Sequence, residues 1–258
     1  MTSTSTMGFS VLLLHAAALF AATAAASPEL SVVVAPSGAY TVALDGAVWL
    51  ASAATTLRAN GVAHSSADGS LALASRSAET GCDSIGSFNR TRLSWRITSS
   101  PPVRFYTDFI LYADADAVIF EQVFPDGANG TKGASENVVS SGFPTFDLLD
   151  SRTGRRGFYQ WAAGGVPGYP AVGPHGVLGA KADNSRLRGG RSTTGLIAVF
   201  DGASDRAIAL SPASSFLMTS SELLPNNATL RFGLQGSATS VPRGWRCSTI
   251  VQAGGTGM

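Results

Sequence analysis

Charge is scarce in this sequence. Asp, Glu, Lys and Arg make up 14% of its 258 residues, and only Lys132 and Lys181 are lysines. So little charge is poor material for long solvated helices. The formal net charge of +1 excludes the basic footprint of a nucleic-acid binder or of a membrane-surface patch. Cysteine is almost absent as well, with Cys82 and Cys247 alone, too few for a disulfide framework. Beyond residue 26 the only histidines are His64 and His175, and neither has a partner at metal-ligand spacing, so neither a metal nor a cofactor is expected. Gly164-Gly165 and Gly189-Gly190 match no phosphate-binding loop, and Ser211 and Ser214 lie in no G-x-S-x-G elbow. No repeat of fixed period occurs, which argues against a propeller.

What the sequence does have is glycine, 29 residues of it, and many short apolar runs. The first of these, VLLLHAAALF at Val11–Phe20, is too short to span a bilayer. It is followed by Ala24-Ala25-Ala26, an A-x-A cleavage site before Ser27. Residues 1–26 therefore read as a secretory signal peptide, and residues 27–258 as a single domain that is secreted and has no membrane segment once the leader is cleaved. Asn-x-Thr sequons at Asn89, Asn129 and Asn227 sit among turn-forming residues and are candidate glycosylation sites. In an oxidising compartment Cys82 and Cys247 are expected to pair, the alternative being two buried free thiols.

The runs that follow are strands. LSVVV (Leu30–Val34), YTVAL (Tyr40–Leu44) and AVWLA (Ala47–Ala51) form a meander whose second turn, Asp45-Gly46, is a strong hairpin signal. Leu93, Trp95 and Ile97 alternate with Arg92, Ser94, Arg96 and Thr98, so one face of that strand is buried. VRFYTDFILY (Val103–Tyr112) is apolar enough to lie centrally, paired through Ala113–Asp116 with the strand that begins the organising stretch, Ile119 to Phe146. Within that stretch Pro125 and Pro144 should each mark a strand edge. Residues 150–190 show neither strand nor helix periodicity, and such a length without structure is usually functional or mobile. Strand patterns return at 195–201, 207–211, 216–220, 229–236 and 247–252, giving about a dozen to sixteen strands and no convincing amphipathic helix.

Two sets of residues could carry chemistry. Glu121 and Asp147 lie at the two ends of the organising stretch, and a glycosidase needs two acids flanking the scissile bond. An acid at a strand end more often bonds an arginine or a loop backbone. Tyr159 with Trp161 could stack against a sugar ring, or could pin the long irregular segment as core aromatics.

The succession CDSIGSFNRTRLSW (Cys82–Trp95), IFEQVFP (Ile119–Pro125), SGFPTF (Ser141–Phe146), LIAVFD (Leu196–Asp201), ALSPASSFLMTSS (Ala209–Ser221) and FGLQGSATSVPRGW (Phe232–Trp245) resembles the N-terminal region of secreted glycoside-hydrolase-like proteins. These are distantly similar to α-galactosidase and raffinose-synthase enzymes. The resemblance covers about Asp83 to Gly255 and implies an all-β fold: an antiparallel β-sandwich of the galactose-mutarotase-like supersandwich kind. In such enzymes it precedes a (β/α)₈ barrel that holds both catalytic acids, so no catalytic residue transfers to this chain. What is implied is a non-catalytic domain that supports a barrel missing from this chain, with carbohydrate as the ligand class. A free-standing lectin-like module using Trp161 and Tyr159, or a purely structural extracellular domain, are the alternatives.

Overall fold

The computed structural model describes residues 29–97, 101–135, 137–161, 174–187 and 196–255, and the expected signal peptide lies outside them. Two antiparallel sheets face each other across one core. The first is built on the expected meander β1 (Leu30–Val34), β2 (Tyr40–Leu44) and β3 (Ala47–Ser52), with Asp45 at φ 50° and Gly46 at φ 77° in the hairpin turn. A further hairpin, β4 (Thr56–Ala59) and β5 (Val62–Ser65), joins this sheet at β11.

The second sheet begins with a second meander, β6 (Leu71–Cys82), β7 (Ser87–Ile97), β8 (Val103–Tyr112) and β9 (Ala117–Phe124). A two-residue strand β10 (Ala128–Asn129) then leads to β11 (Val139–Asp147), which returns to the first sheet beside β3. The remaining strands are β12 (Arg156–Gln160), β13 (His175–Leu178), β14 (Ile197–Asp201), β15 (Arg206–Pro212), β16 (Thr219–Leu223), β17 (Thr229–Gln235), β18 (Ser240–Val241) and β19 (Trp245–Gly255). The first sheet runs β1-β2-β3-β11-β17-β16, the second β13-β12-β14-β15-β19-β9-β8-β7-β6, and β10 pairs with β18. One turn of helix, α1 (Lys181–Asn184), follows β13.

Alternation explains which residues meet between the sheets. Phe109 and Phe120 of the second sheet pack against Tyr40, Phe143 and Phe146 of the first, with ring centroids 5.0–6.1 Å apart in mostly edge-to-face contacts. Leu93, Trp95 and Ile97 are buried as their alternation requires, and β8 pairs with β9 through a turn at Ala113–Asp116. Of residues 150–190, the described 150–161 and 174–187 carry β12, β13 and α1, more structure than their pattern suggests; residues 162–173 and 188–190 lie outside the described part. The strand expected at Phe216–Ser220 begins only at Thr219, which leaves Phe216 and Leu217 exposed in the preceding turn.

Pro125 does end a strand, but Pro144 does not. It sits inside β11, where pairing with β17 skips from Gly142–Gly233 to Thr145–Arg231. A proline is tolerated there because the register shift removes the ladder bond it cannot make. The shift frees backbone groups, and the core satisfies them. The Gln122 amide reaches across from β9 and donates to the carbonyls of Phe143 (2.5 Å), Ser141 (3.3 Å) and Phe232 (3.3 Å), while its oxygen accepts from the Ser141 hydroxyl (2.5 Å). The Tyr40 hydroxyl donates to the Thr145 carbonyl (3.0 Å) and accepts from the Thr145 amide (2.8 Å). Gly233 makes the approach possible, since a Cβ there would stand 1.7 Å from the Ser141 oxygen and 2.5 Å from Gln122 Nε2.

Replacing Gln122 with Leu keeps the volume but strands these carbonyls in an apolar interior. The expected loss is about 2–4 kcal/mol, given roughly 1–3 kcal/mol for each buried group left unpaired. Urea denaturation checks this, and a change below about 1 kcal/mol would show that the carbonyls find other partners.

Candidate functional site

The outer face of the second sheet differs from one end to the other. Over β6–β9 it is ionic. Arg90 pairs with Glu79, both oxygens of Asp108 accept from Arg92 (2.7 and 2.6 Å), and Glu121 accepts from Arg246 (3.1 Å). The Arg92 guanidinium also lies 4.9 Å from the centre of the Tyr106 ring. Asp108 is 0% exposed beneath this layer although it points away from the core. Burial raises the Glu121 carboxyl above its ordinary pKa, with Arg246 opposing and the neighbouring Asp108 reinforcing the shift.

Over β13, β12 and β14 the same face is mostly apolar, with the exposed His175 in register with Tyr159. Phe158 and Gln160 point inward and are buried, so Tyr159 and Trp161 point out, their rings 6.5 Å apart at 71°. In the adjoining strand Ile197 and Val199 are buried while Leu196 and Phe200 lie on the other side. Val177 and Phe200 flank Gly157 in register, and the Phe200 ring occupies the space a Cβ on Gly157 would need, 2.2 Å from its Cε2. Trp161 is 55% exposed, Leu196 40%, Phe200 38% and Val177 37%, an apolar patch on one end of one sheet.

The sequence brings Tyr159 and Trp161 to attention but misses Phe200, Val177 and Leu196 as their neighbours. The signal was present in LIAVF, a run apolar on both faces, which reads as a strand covered on both sides. Only its inner side is covered by the described residues.

The two acids of the organising stretch do not meet. Gln122 points into the core, so Glu121 faces outward from the second sheet; Phe146 is buried in the core, so Asp147 faces outward from the first. Both sheets lie between them, a separation of more than about 10 Å with the side chains diverging, and they cannot flank one glycosidic bond. Asp147 accepts from the amide of Leu149 (2.9 Å), as an acid at a strand end commonly does. His64 lies on β5 of the first sheet and His175 on β13 of the second, and no cluster of three metal-binding side chains occurs among the described residues. No helix among them is long and apolar enough to cross a membrane.

The expected disulfide is not formed. Cys82 is exposed at the end of β6 and Cys247 is buried on β19, with β7, β8 and β9 between them. Four strand spacings of about 4.8 Å put roughly 19 Å between those strands, well beyond the ~7 Å a disulfide can bridge. Of the sequons, Asn89 lies within β7 rather than in a turn, exposed and in register with Thr80 and Leu111. Asn129 is exposed on β10, whereas the hydroxyl of Thr131 is buried and donates to Ala238 (2.7 Å). Asn227 occupies a turn at φ 54°.

No protein-family model matches the sequence, and no curated protein matches it. Solved structures do. The β-sandwich is one that glycoside hydrolases carry. A β-arabinopyranosidase superposes with a TM-score of 0.53 at 13% identity, over 88% of this chain and 38% of that one. An α-N-acetylgalactosaminidase from Bifidobacterium bifidum matches with a TM-score of 0.51 at 10% identity, over 87% and 35%. A glycoside hydrolase family 97 enzyme from Pseudoalteromonas sp. strain K8, in complex with panose, matches at 0.50 and 12%, over 87% and 35%. The chain thus spans little more than a third of the enzymes it resembles, and identities this low establish a shared fold.

The two thiols should differ in reactivity. Burial pushes the Cys247 thiol far above its ordinary pKa, with Glu121 adding to the shift, and keeps it from reagent, whereas Cys82 is exposed. Native protein treated with a maleimide should gain one label, on Cys82, and a second only after unfolding. Mass spectrometry decides it, and a native protein that takes no label without reductant would restore the disulfide.

Proposed function

We propose that this chain is the β-sandwich module of a secreted carbohydrate-active protein of the glycoside-hydrolase kind. It has no hydrolytic activity of its own and helps to shape a (β/α)₈ barrel against which it packs. The observation that carries this reading is the apolar patch of Trp161, Leu196, Phe200 and Val177. A sheet face of this composition is ordinarily covered, and exposed patches of this kind mark contact surfaces. Two facts support it further: Glu121 and Asp147 diverge on opposite sides of the sandwich, and the related folds form about a third of much longer enzymes. Secretion rests on the leader and A-x-A site of residues 1–26.

A second reading is favoured by one specific feature, the Tyr159–Trp161 pair, whose geometry suits a lectin-like stacking platform. The two readings separate experimentally. The purified 27–258 chain should self-associate through the patch, and Phe200→Ser and Trp161→Ser should each shift it toward monomer in light scattering, without turnover of aryl α- or β-glycosides by any form. A monomeric parent protein that is retained on immobilised sugar, and released by Trp161→Ala but not by Phe200→Ser, would replace the module reading with the lectin one. Turnover abolished by Glu121→Gln would sink both.

Secreted material should begin at Ser27 on N-terminal sequencing. An intact Met1 in the medium would remove the signal peptide from the account.

A further inference from the structure

Buried polar atoms left without a partner are few in a native interior, and each needs an explanation. Here two of them line one cavity. Arg58 Nε on β4 and Ser140 Oγ on β11 are buried and make no hydrogen bond, and both residues line a cavity of about 320 Å³. Ser140 is more than nine-tenths buried, whereas the buried His64 is in register with Leu57 and shares its core-facing side. The cavity opens on the first sheet, away from the patch described above: Leu57 and Ser141 turn toward the core, so Arg58 and Ser140, one residue removed from each, face the other way. Its volume is at the lower end for small-molecule sites, with room for one sugar ring rather than a chain.

The charges in its wall are unequal. Arg231 also lines the cavity, but its guanidinium is held by Glu222 at 2.8 and 2.6 Å. Arg58 has no such partner. Its Nη2 donates to the Gly61 carbonyl (2.8 Å), and no carboxylate lies within ion-pair distance among the described residues. A half-buried guanidinium without a counter-charge is unfavourable until an anion meets it. Opposite in chemistry, the exposed Asp68 keeps Oδ2 as an acceptor for a hydroxyl while its Oδ1 accepts from Ser70, and the Thr56 hydroxyl, which accepts from Arg231 at 3.4 Å, still has a proton to donate.

We infer that this cavity binds a small hydroxylated carboxylate, of the hexuronate class, with the carboxylate on Arg58 and hydroxyls on Ser140, Thr56 and Asp68. The choice of a sugar acid rests on the carbohydrate reading above, while the choice of a carboxylate rests on Arg58.

Calorimetric titration of the 27–258 chain with galacturonate and glucuronate should give saturable binding, with galactose and glucose at least about tenfold weaker. Arg58→Met should weaken uronate binding by about 10- to 100-fold, the range expected for a charge-assisted bond. Ser140→Ala should weaken it severalfold and leave the melting temperature unchanged or raised, because the hydroxyl it removes has no partner in the fold. Absence of saturation, equal affinity for neutral hexoses, acetate binding as tightly as the uronates, or an Arg58→Met variant that folds and binds normally would each overturn the inference. So would a Ser140→Ala variant that is destabilised with unchanged uronate binding, because it would place structural water on that hydroxyl. Failure here together with self-association through Phe200 leaves the module reading intact, so the two can fail separately.

Discussion

The sandwich depends on how the break in β11 is repaired. A strand that carries Pro144 and shifts register between Gly142 and Thr145 exposes backbone carbonyls in the middle of an aromatic core. Left unpaired, those groups would cost a large fraction of a typical domain stability. Gln122 from the facing sheet and Tyr40 from the neighbouring meander supply the bonds, and Gly233 leaves the room. These contacts tie strands from both sheets to one point, so they fix how the sheets lie on each other as well as satisfying the polar groups. Burial raises the Tyr40 phenol well above its ordinary pKa, and the neutral hydroxyl both donates to and accepts from Thr145.

With the inner faces fixed in this way, strand alternation decides what the outer faces present. On the second sheet one end is a lattice of arginine–carboxylate pairs and the other is Trp161, Leu196, Phe200 and Val177. The ionic end solvates itself, since Glu79 and Arg90, and Arg92 and Asp108, sit opposite each other on adjacent strands and Arg246 reaches Glu121 diagonally. The apolar end has no such answer within the described residues, and that difference is what the proposed module reading rests on.

Much of this was legible in the sequence where a strand obeys one period. The β1–β3 meander, the turn at Asp45-Gly46, the burial of Leu93, Trp95 and Ile97, and the β8–β9 hairpin follow from alternation and turn chemistry. What was not legible depends on contacts remote in sequence. Pro144 reads as a strand end because a local rule cannot foresee that Gln122, twenty-two positions earlier, will take up the freed carbonyls. The β4–β5 hairpin and β12–β13 are short and rich in Gly, Ala or Arg, and their patterns fall below any periodic signal. The cysteines suggested a bridge from compartment and count alone, but whether two residues pair is a question of strand order, and strand order places three strands between them.

The same limit governs the site. Tyr159 and Trp161 could be picked out because aromatics two apart on a strand share a face, yet their significance changes once Phe200 and Val177 are found beside them across Gly157. Glu121 and Asp147 looked like a pair because they close one stretch of sequence. A stretch that leaves one sheet and enters the facing one must send outward-pointing residues to opposite sides of the sandwich. Two acids so placed can each hold a local partner, as Glu121 holds Arg246 and Asp147 the Leu149 amide, but they cannot act together on one bond. In a sandwich of this kind, a paired acid site would have to be assembled within one outer face, and on the second sheet Arg92 already occupies both oxygens of Asp108, the acid beside Glu121 in register.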